Sequence, residues 1–415
     1  MTTRRDLMKG LGALASAAAL APRVAHAADA PEHLIIYFAQ GGWDPAYVFD
    51  AKPDNPDVAT PDGGWMQHGA LTLWDRSAGE NARAFFDTWH ARSAVVNGIA
   101  VNSLVHEECT KRILTGATSQ ALPDVAARVA AELGSHCALP YLTLGPMSRT
   151  TGVAAKAGRF GYANQLMSLA HPTEFAWPRS GTYRPAPGVV PGADEDAAVQ
   201  ALLARRAQAL AGRTHGATDA ARVADYIESL DRSARIRESA AGGGFVSSEA
   251  LFNATDDADK VIAALSEGFS QTALFSDPGF WDTHGTNTLQ SGLYEDLFAV
   301  LDGLMRKLQA AGLLDRTLVV VMSEMGRTPV LNADNGKDHW PCTSALLLGG
   351  GVRSAVVEGT DGGLIQQGVD LHTGAPSDIG VPLFAPDLLA TVAHIVGLDA
   401  GALYPEGEVI HAVVA

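Results

Sequence analysis

The chain has 415 residues, 47% of them apolar and 18% charged. That is enough for one large or two medium globular domains with a substantial core, and it excludes a disordered polypeptide. The formal charge of −16 works against non-specific binding to DNA, RNA or anionic lipid and makes a divalent cation a more natural guest than a polyanion. The three cysteines, Cys109, Cys137 and Cys342, show no CxxC zinc spacing and allow at most one bridge.

Residues 1–27 read as an address. Arg4-Arg5, within Thr3–Lys9, resembles the twin-arginine export motif, and an Ala/Gly-rich apolar stretch follows from Gly10 to Ala21. Ala25-His26-Ala27 has the small-x-small pattern of a signal peptidase site. The apolar stretch is shorter than the roughly 18–20 residues that span a bilayer. The expectation is passage through the twin-arginine machinery, cleavage near Ala27, no stable membrane insertion, and a periplasmic or secreted domain of residues 28–415. That route carries folded proteins, which suits a chain that takes up a cofactor before it leaves.

In the remaining chain, His33–Gln40 predicts a buried strand followed by a tight turn, Gly41-Gly42-Trp43-Asp44. Residues 51–80, rich in Pro, Gly, Asp and Asn, predict a long surface loop. A helix over Ala82–His90, a strand over Ala94–Ile99, a helix over Glu107–Leu114 and an Ala-rich helix over Asp124–Leu133 follow. Residues 140–195 read as irregular. Helices over Ala193–Arg213 and Asp219–Ala240 suggest a helical insertion at about 190–257. Then come a helix over Ala258–Phe269, a strand over Thr272–Ser276 and an amphipathic helix over Leu289–Ala311. Leu318–Met322 is the best buried strand, followed by an apolar run over Ser344–Leu348 and a helix over Pro386–Val396. The alternation predicts an α/β fold with a mostly parallel central sheet flanked by helices.

In open α/β sheets, ligands bind beyond the carboxyl ends of the strands. Asp44 follows the first strand, His106 lies past Ala94–Ile99, Asp282 and His284 follow Thr272–Ser276, Glu324 follows Leu318–Met322, and Asp338 and His339 come soon after. Each has a plainer role open to it. Asp44 and Asp282 suit caps, Glu324 could pair with Arg327, His339 suits a buried loop, and His106 suits a helix start. Their conjunction at several strand ends points to a metal or catalytic site. Carboxylates with imidazoles suit zinc, manganese, iron or calcium.

The segment Gly312–Gly326, Gly-Leu-Leu-Asp-Arg-Thr-Leu-Val-Val-Val-Met-Ser-Glu-Met-Gly, resembles the stretch of sulfatases and other alkaline phosphatase superfamily enzymes that ends in Ser-Asp-His-Gly or Ser-Asp-Asn-Gly. Further motifs are Gly41-Gly42-Trp43-Asp44, His106-Glu107-Glu108, Leu114-Thr115-Gly116, Trp281-Asp282-Thr283-His284-Gly285, Ser323–Thr328, Asp338-His339-Trp340-Pro341 and Gly349–Gly351. Together they are similar to the DUF1501 family of secreted bacterial proteins within that superfamily. The resemblance implies an alkaline-phosphatase-like fold and a two-metal site that cleaves a small anionic ester. Its divalent ions would be zinc, calcium or manganese. Carried over, Asp44 is the first-strand metal ligand and Glu324 the second acidic one. Asp282 and His284 resemble an acid/histidine ligand pair, and His339 the final histidine.

The sequence also departs from the superfamily. The nucleophile position falls on His106, where sulfatases have Cys or Ser and phosphatases Ser or Thr, so His106 stays open as nucleophile, acid/base or ligand. Glu324-Met325 replaces the usual Asp-His pair and removes an imidazole, which leaves room for one ion instead of two. Arg327 is expected either to clamp an anionic oxygen or to pair with Glu324. The reading is a metal-dependent hydrolase of phosphate or sulfate esters. The alternatives are a non-catalytic periplasmic binding or assembly protein that keeps the fold, and a metal-dependent transferase or lyase.

Overall fold

The most apolar runs of the sequence lie side by side at the centre of the molecule. The computed structural model describes residues 30–76, 79–119, 121–145, 147–160, 166, 170, 192–244 and 257–415, so the export segment lies outside the described residues. The strands are β1 (His33–Phe38), β2 (Gly63–His68), β3 (Leu71–Arg76), β4 (Ser93–Ala100), β5 (Tyr141–Leu144), β6 (Ala157–Phe160), β7 (Thr272–Ser276), β8 (Thr317–Met322), β9 (Gly326–Arg327), β10 (His339–Trp340), β11 (Cys342–Gly349), β12 (Ala355–Val357), β13 (Gly368–Val369) and β14 (Val381–Pro382). The helices are α1 (Asn81–Trp89), α2 (His106–Thr115), α3 (Val125–Leu133), α4 (Ala193–Ala211), α5 (Ala217–Ala241), α6 (Asp257–Ser266), α7 (Leu289–Ala310), α8 (Ala385–Ile395) and α9 (Ala400–Leu403).

Eight strands form the main sheet in the order β12-β4-β11-β8-β1-β7-β5-β6. All its pairings are parallel except the two made by β11. The reversal has a local cause. β8 is followed by the small β9–β10 hairpin and not by a helical crossover, and a chain that turns straight back lies antiparallel to the strand it left. Side chains alternate across the sheet. Leu34, Ile36, Phe38, Val320 and Met322 pack into one core with α2, α3 and α8. Ile35, Tyr37, Val319 and Val321 pack into the other with α1 and α7. Each such side chain contributes about 1.5–3 kcal/mol on leaving water.

Two stretches differ from expectation. Residues 51–80 are not all loop, because β2 and β3 form a hairpin within them, with Trp65 opposite Trp74 and their rings 5.2 Å apart. The Gly-rich composition masked a short apolar alternation, and Gly69, at φ +61°, makes the turn. In residues 140–195, β5 and β6 extend the sheet edge. Each is four residues long, and Pro140 and Gly145 bracket β5 so closely that no periodicity could emerge. The rest of that stretch lies largely outside the described residues. The helices α4 and α5 pack on each other. Of these, α5 meets the sheet domain through buried Arg232, which donates to the Cys137 carbonyl. All three cysteines are buried free thiols. Among the described residues, no helix is long and apolar enough to cross a membrane.

Candidate metal centre

The carboxyl ends of β1, β4, β7 and β8 lie on the same side of the sheet as the start of β11. The chain after β1 turns sharply there and needs glycine to do so. Gly41 has φ +122°, and a Cβ on it would lie 2.6 Å from the Asp282 nitrogen. The turn thus presses the end of β1 against the segment after β7. The Gly41 N–H donates to both carboxylate oxygens of Glu324, at 2.8 and 3.1 Å, and Ser323 Oγ donates at 3.1 Å. Glu324 is fully buried and also accepts from His106 Nδ1 at 2.7 Å.

Three histidines are anchored in this way. His106 Nδ1 bonds Glu324, His284 Nδ1 bonds Asp338 at 2.9 Å, and His339 Nδ1 bonds the Leu104 carbonyl at 2.6 Å. Carboxylates and carbonyls only accept, so each neutral ring carries its proton on Nδ1 and turns the Nε2 lone pair inward. The three Nε2 atoms meet at Asp282. His106 Nε2 lies 3.4 Å from Asp282 Oδ2, while His284 Nε2 and His339 Nε2 lie 3.1 and 3.3 Å from Oδ1. His284 Nε2 and His339 Nε2 are 2.9 Å apart, and His106 Nε2 is buried with no hydrogen-bond partner. Two inward lone pairs at such a distance repel, as do lone pairs facing a carboxylate. A cation among them turns every one of these contacts attractive, so the donor set fits a metal ion. His106, Asp282 and His339 offer ligand atoms that all lie within 4.8 Å of one another.

The surroundings keep the acids of this cluster ionised and make the His106 ring more basic. Burial works against the Asp282 carboxylate, but the Arg327 hydrogen bond and charge, with His106 and His284 beside it, hold it below the usual carboxylate range. The hydrogen bond to Glu324 raises His106, against a smaller opposing effect of burial. The His284 hydrogen bond, with Asn332, lowers Asp338.

Three expected positions differ in the structure. Asp44 is not in the cluster. It is fully buried, its Oδ1 caps the turn at Ala46, and its Oδ2 accepts from Asn287 Nδ2 at 2.7 Å. Lys337 Nζ, also fully buried, lies 2.7 Å from the same oxygen. The ammonium makes this ion contact without a well-directed hydrogen bond. Both Asp44 oxygens are taken by these partners, whereas Asp282 keeps Oδ2 turned toward His106 Nε2. Glu324 faces the far nitrogen of His106 and so stands one layer behind the cluster. Arg327 pairs with Asp282 at 2.5 Å and not with Glu324. It is fully buried and donates to the carbonyls of Gly41, Gly42, Trp281 and Lys337, so it does not face the open side where a substrate oxygen would sit. Lys337 and the Leu104 carbonyl carry parts of the site that the sequence reasoning missed. Lys337 stood next to Asp338 in a motif already singled out, whereas a backbone carbonyl leaves no mark in a sequence.

The backbone is similar to several solved structures at low identity. Ps i-CgsB matches with a TM-score of 0.41 and 10% identity, over 91% of this chain and 75% of that one. The integral membrane protein lipooligosaccharide phosphoethanolamine transferase A of Neisseria meningitidis matches at 0.39 and 11%, over 97% and 63%. The phosphonate monoester hydrolase SpPMH of Silicibacter pomeroyi matches at 0.34 and 12%, over 91% and 75%. No curated protein matches the sequence. The family model described as "Protein of unknown function (DUF1501)" matches residues 31–408, and the chain belongs to that family.

Proposed function

We propose that the chain is a metal-dependent hydrolase of phosphate or sulfate esters, exported by the twin-arginine route and working in the periplasm or outside the cell. The observation that supports it best is the convergence of three Nδ1-anchored imidazoles on Asp282. His106, Asp282, His284 and His339 would hold one ion. Imidazole nitrogens with one carboxylate suit zinc or manganese better than calcium, which takes six to eight oxygens. When bound, such an ion polarises the ester oxygens and lowers the pKa of water. Glu324 fixes the tautomer and aim of His106. Arg327 is a positioning residue that keeps Asp282 ionised and in place. His284 has 44% of its side chain exposed and is backed by Asp338. The ester linkage and the export route rest on the motifs in the sequence.

One observation favours a binding protein without catalysis. The position of the superfamily's nucleophile holds His106, whose Nδ1 is taken by Glu324. In-line attack by water needs no protein nucleophile, so the hydrolase reading survives it. The test is turnover of aryl phosphate and aryl sulfate by protein purified without chelator. Turnover that disappears on chelation and in Asp282→Ala is the expected result. A folded protein inert to both esters with its metal bound contradicts the hydrolase and leaves the binding protein.

A further inference from the structure

Exposed apolar side chains collect on the loops that carry the cluster. Leu104 and Val105, 51% and 60% exposed, directly precede His106. Phe280, at 74%, lies two residues before Asp282. Val330 and Leu331, at 55% and 47%, lie on the loop between β9 and β10 that delivers Asp338 and His339. These loops are tied together at the cluster itself. The Leu104 carbonyl holds His339 Nδ1, and Asn332 Nδ2, next to Leu331, donates to the His284 carbonyl at 2.9 Å and to Asp338 at 3.2 Å. Single exposed apolar residues need no explanation. Five on three segments around a polar centre mark a place where apolar matter binds.

Charge narrows the occupant. The segments 101–108, 277–289 and 326–340 contain two basic residues, Arg327 and Lys337, and both are fully buried. Glu107, Asp334 and Asp338 are exposed on the same segments. A substrate with many anionic groups, such as a sulfated glycan or a nucleic acid, needs a row of exposed cations along its path. On the described residues of these three segments the exposed Asp, Glu, Lys and Arg side chains are all acids. An ion held by the cluster would meet one anionic group.

We infer that the substrate is an ester of one anionic group with an apolar alkyl or aryl alcohol, and that Leu104, Val105, Phe280, Val330 and Leu331 form the collar that receives the apolar half. The inference rests on the hydrolase reading above. The anionic oxygens face His106, Asp282, His284 and His339, and the hydrocarbon lies outward over the three loops.

Two series on the protein as purified with its metal test the collar and the chemistry separately. Calorimetry with methyl-, butyl- and octylphosphonate reads binding, and turnover of the corresponding alkyl phosphates and sulfates, with glucose 6-phosphate as a hydrophilic comparison, reads hydrolysis. The collar predicts affinity rising by about twofold to fourfold per buried methylene, with Kd for octylphosphonate at least tenfold below that for methylphosphonate. The double variant Phe280→Ser/Val330→Ser, changed only at exposed side chains, flattens that slope. A slope absent in the wild-type protein, or glucose 6-phosphate preferred over octyl phosphate, overturns the collar even if hydrolysis is found. A steep binding slope without turnover keeps the collar and removes the hydrolase.

Discussion

A carboxylate behind an imidazole does two things for a metal: it fixes the ring's orientation, and it makes the other nitrogen a better donor. Losing such a partner lowers metal affinity about 10–100-fold. Glu324→Gln keeps the size, but it turns an amide N–H toward either the Gly41 N–H or His106 Nδ1–H, both of which already donate. The expected result is that loss of affinity with the fold retained, read by chelator competition. Asp44 gives the opposite expectation. Its charge belongs to Lys337, so Asp44→Asn keeps its metal and Asp282→Asn loses it, which elemental analysis of the two proteins decides. Lys337→Met strands a buried carboxylate and is expected to cost about 3–5 kcal/mol in urea unfolding, much of it regained when Asp44→Asn is added. These residues also mark how far the sequence could be read. His106, Asp282, His284 and His339 followed their strands and meet in the structure. Asp44 and Glu324 followed strands equally well, but what separates a ligand from a supporting acid is the partner. Lys337 and His106 are brought to them only by folding.

Among the elements, α3 carries a consequence for pH. Its cap, Asp124, is fully buried and accepts from the Ala127 and Arg149 N–H groups and the Tyr141 hydroxyl. Burial pushes its carboxyl up to about 6, against the pull of those hydrogen bonds. In the unfolded chain the same group titrates near 4. Between those values the native state holds a proton that the unfolded state has released. Stability from this group therefore falls as pH rises from about 4 to 6, by roughly 3 kcal/mol, and is level above. Asp124→Asn, which can still cap the helix, is expected to remove that slope from unfolding measured across the window; an unchanged slope assigns it elsewhere. Legibility at this scale followed length. The long amphipathic helix α7 and the buried strand β8 stand close to where the sequence put them, whereas β2, β3, β5 and β6 are short and lie among Gly and Pro, too brief for a period to rise above composition.

Over the whole molecule, the sheet order β12-β4-β11-β8-β1-β7-β5-β6 was not readable, because it depends on which crossover lands beside which strand. The class was, because alternating strands and helices have few other solutions. That order sets β1 between β7 and β8, and this brings Gly41, Asp282 and Glu324 together from distant parts of the chain. An ion that binds only this assembled edge stabilises the native state, by about 2.7 kcal/mol at a hundredfold excess over Kd. Chelation is therefore expected to lower the Tm of the wild-type protein and to leave that of Asp282→Ala unmoved. The most direct measurement is metal content with X-ray absorption fine structure, on protein prepared without chelator. The account predicts one divalent transition metal per chain in a nitrogen-rich shell that loses nitrogen in His339→Ala. A folded chain without metal, or an all-oxygen shell indifferent to that substitution, contradicts it.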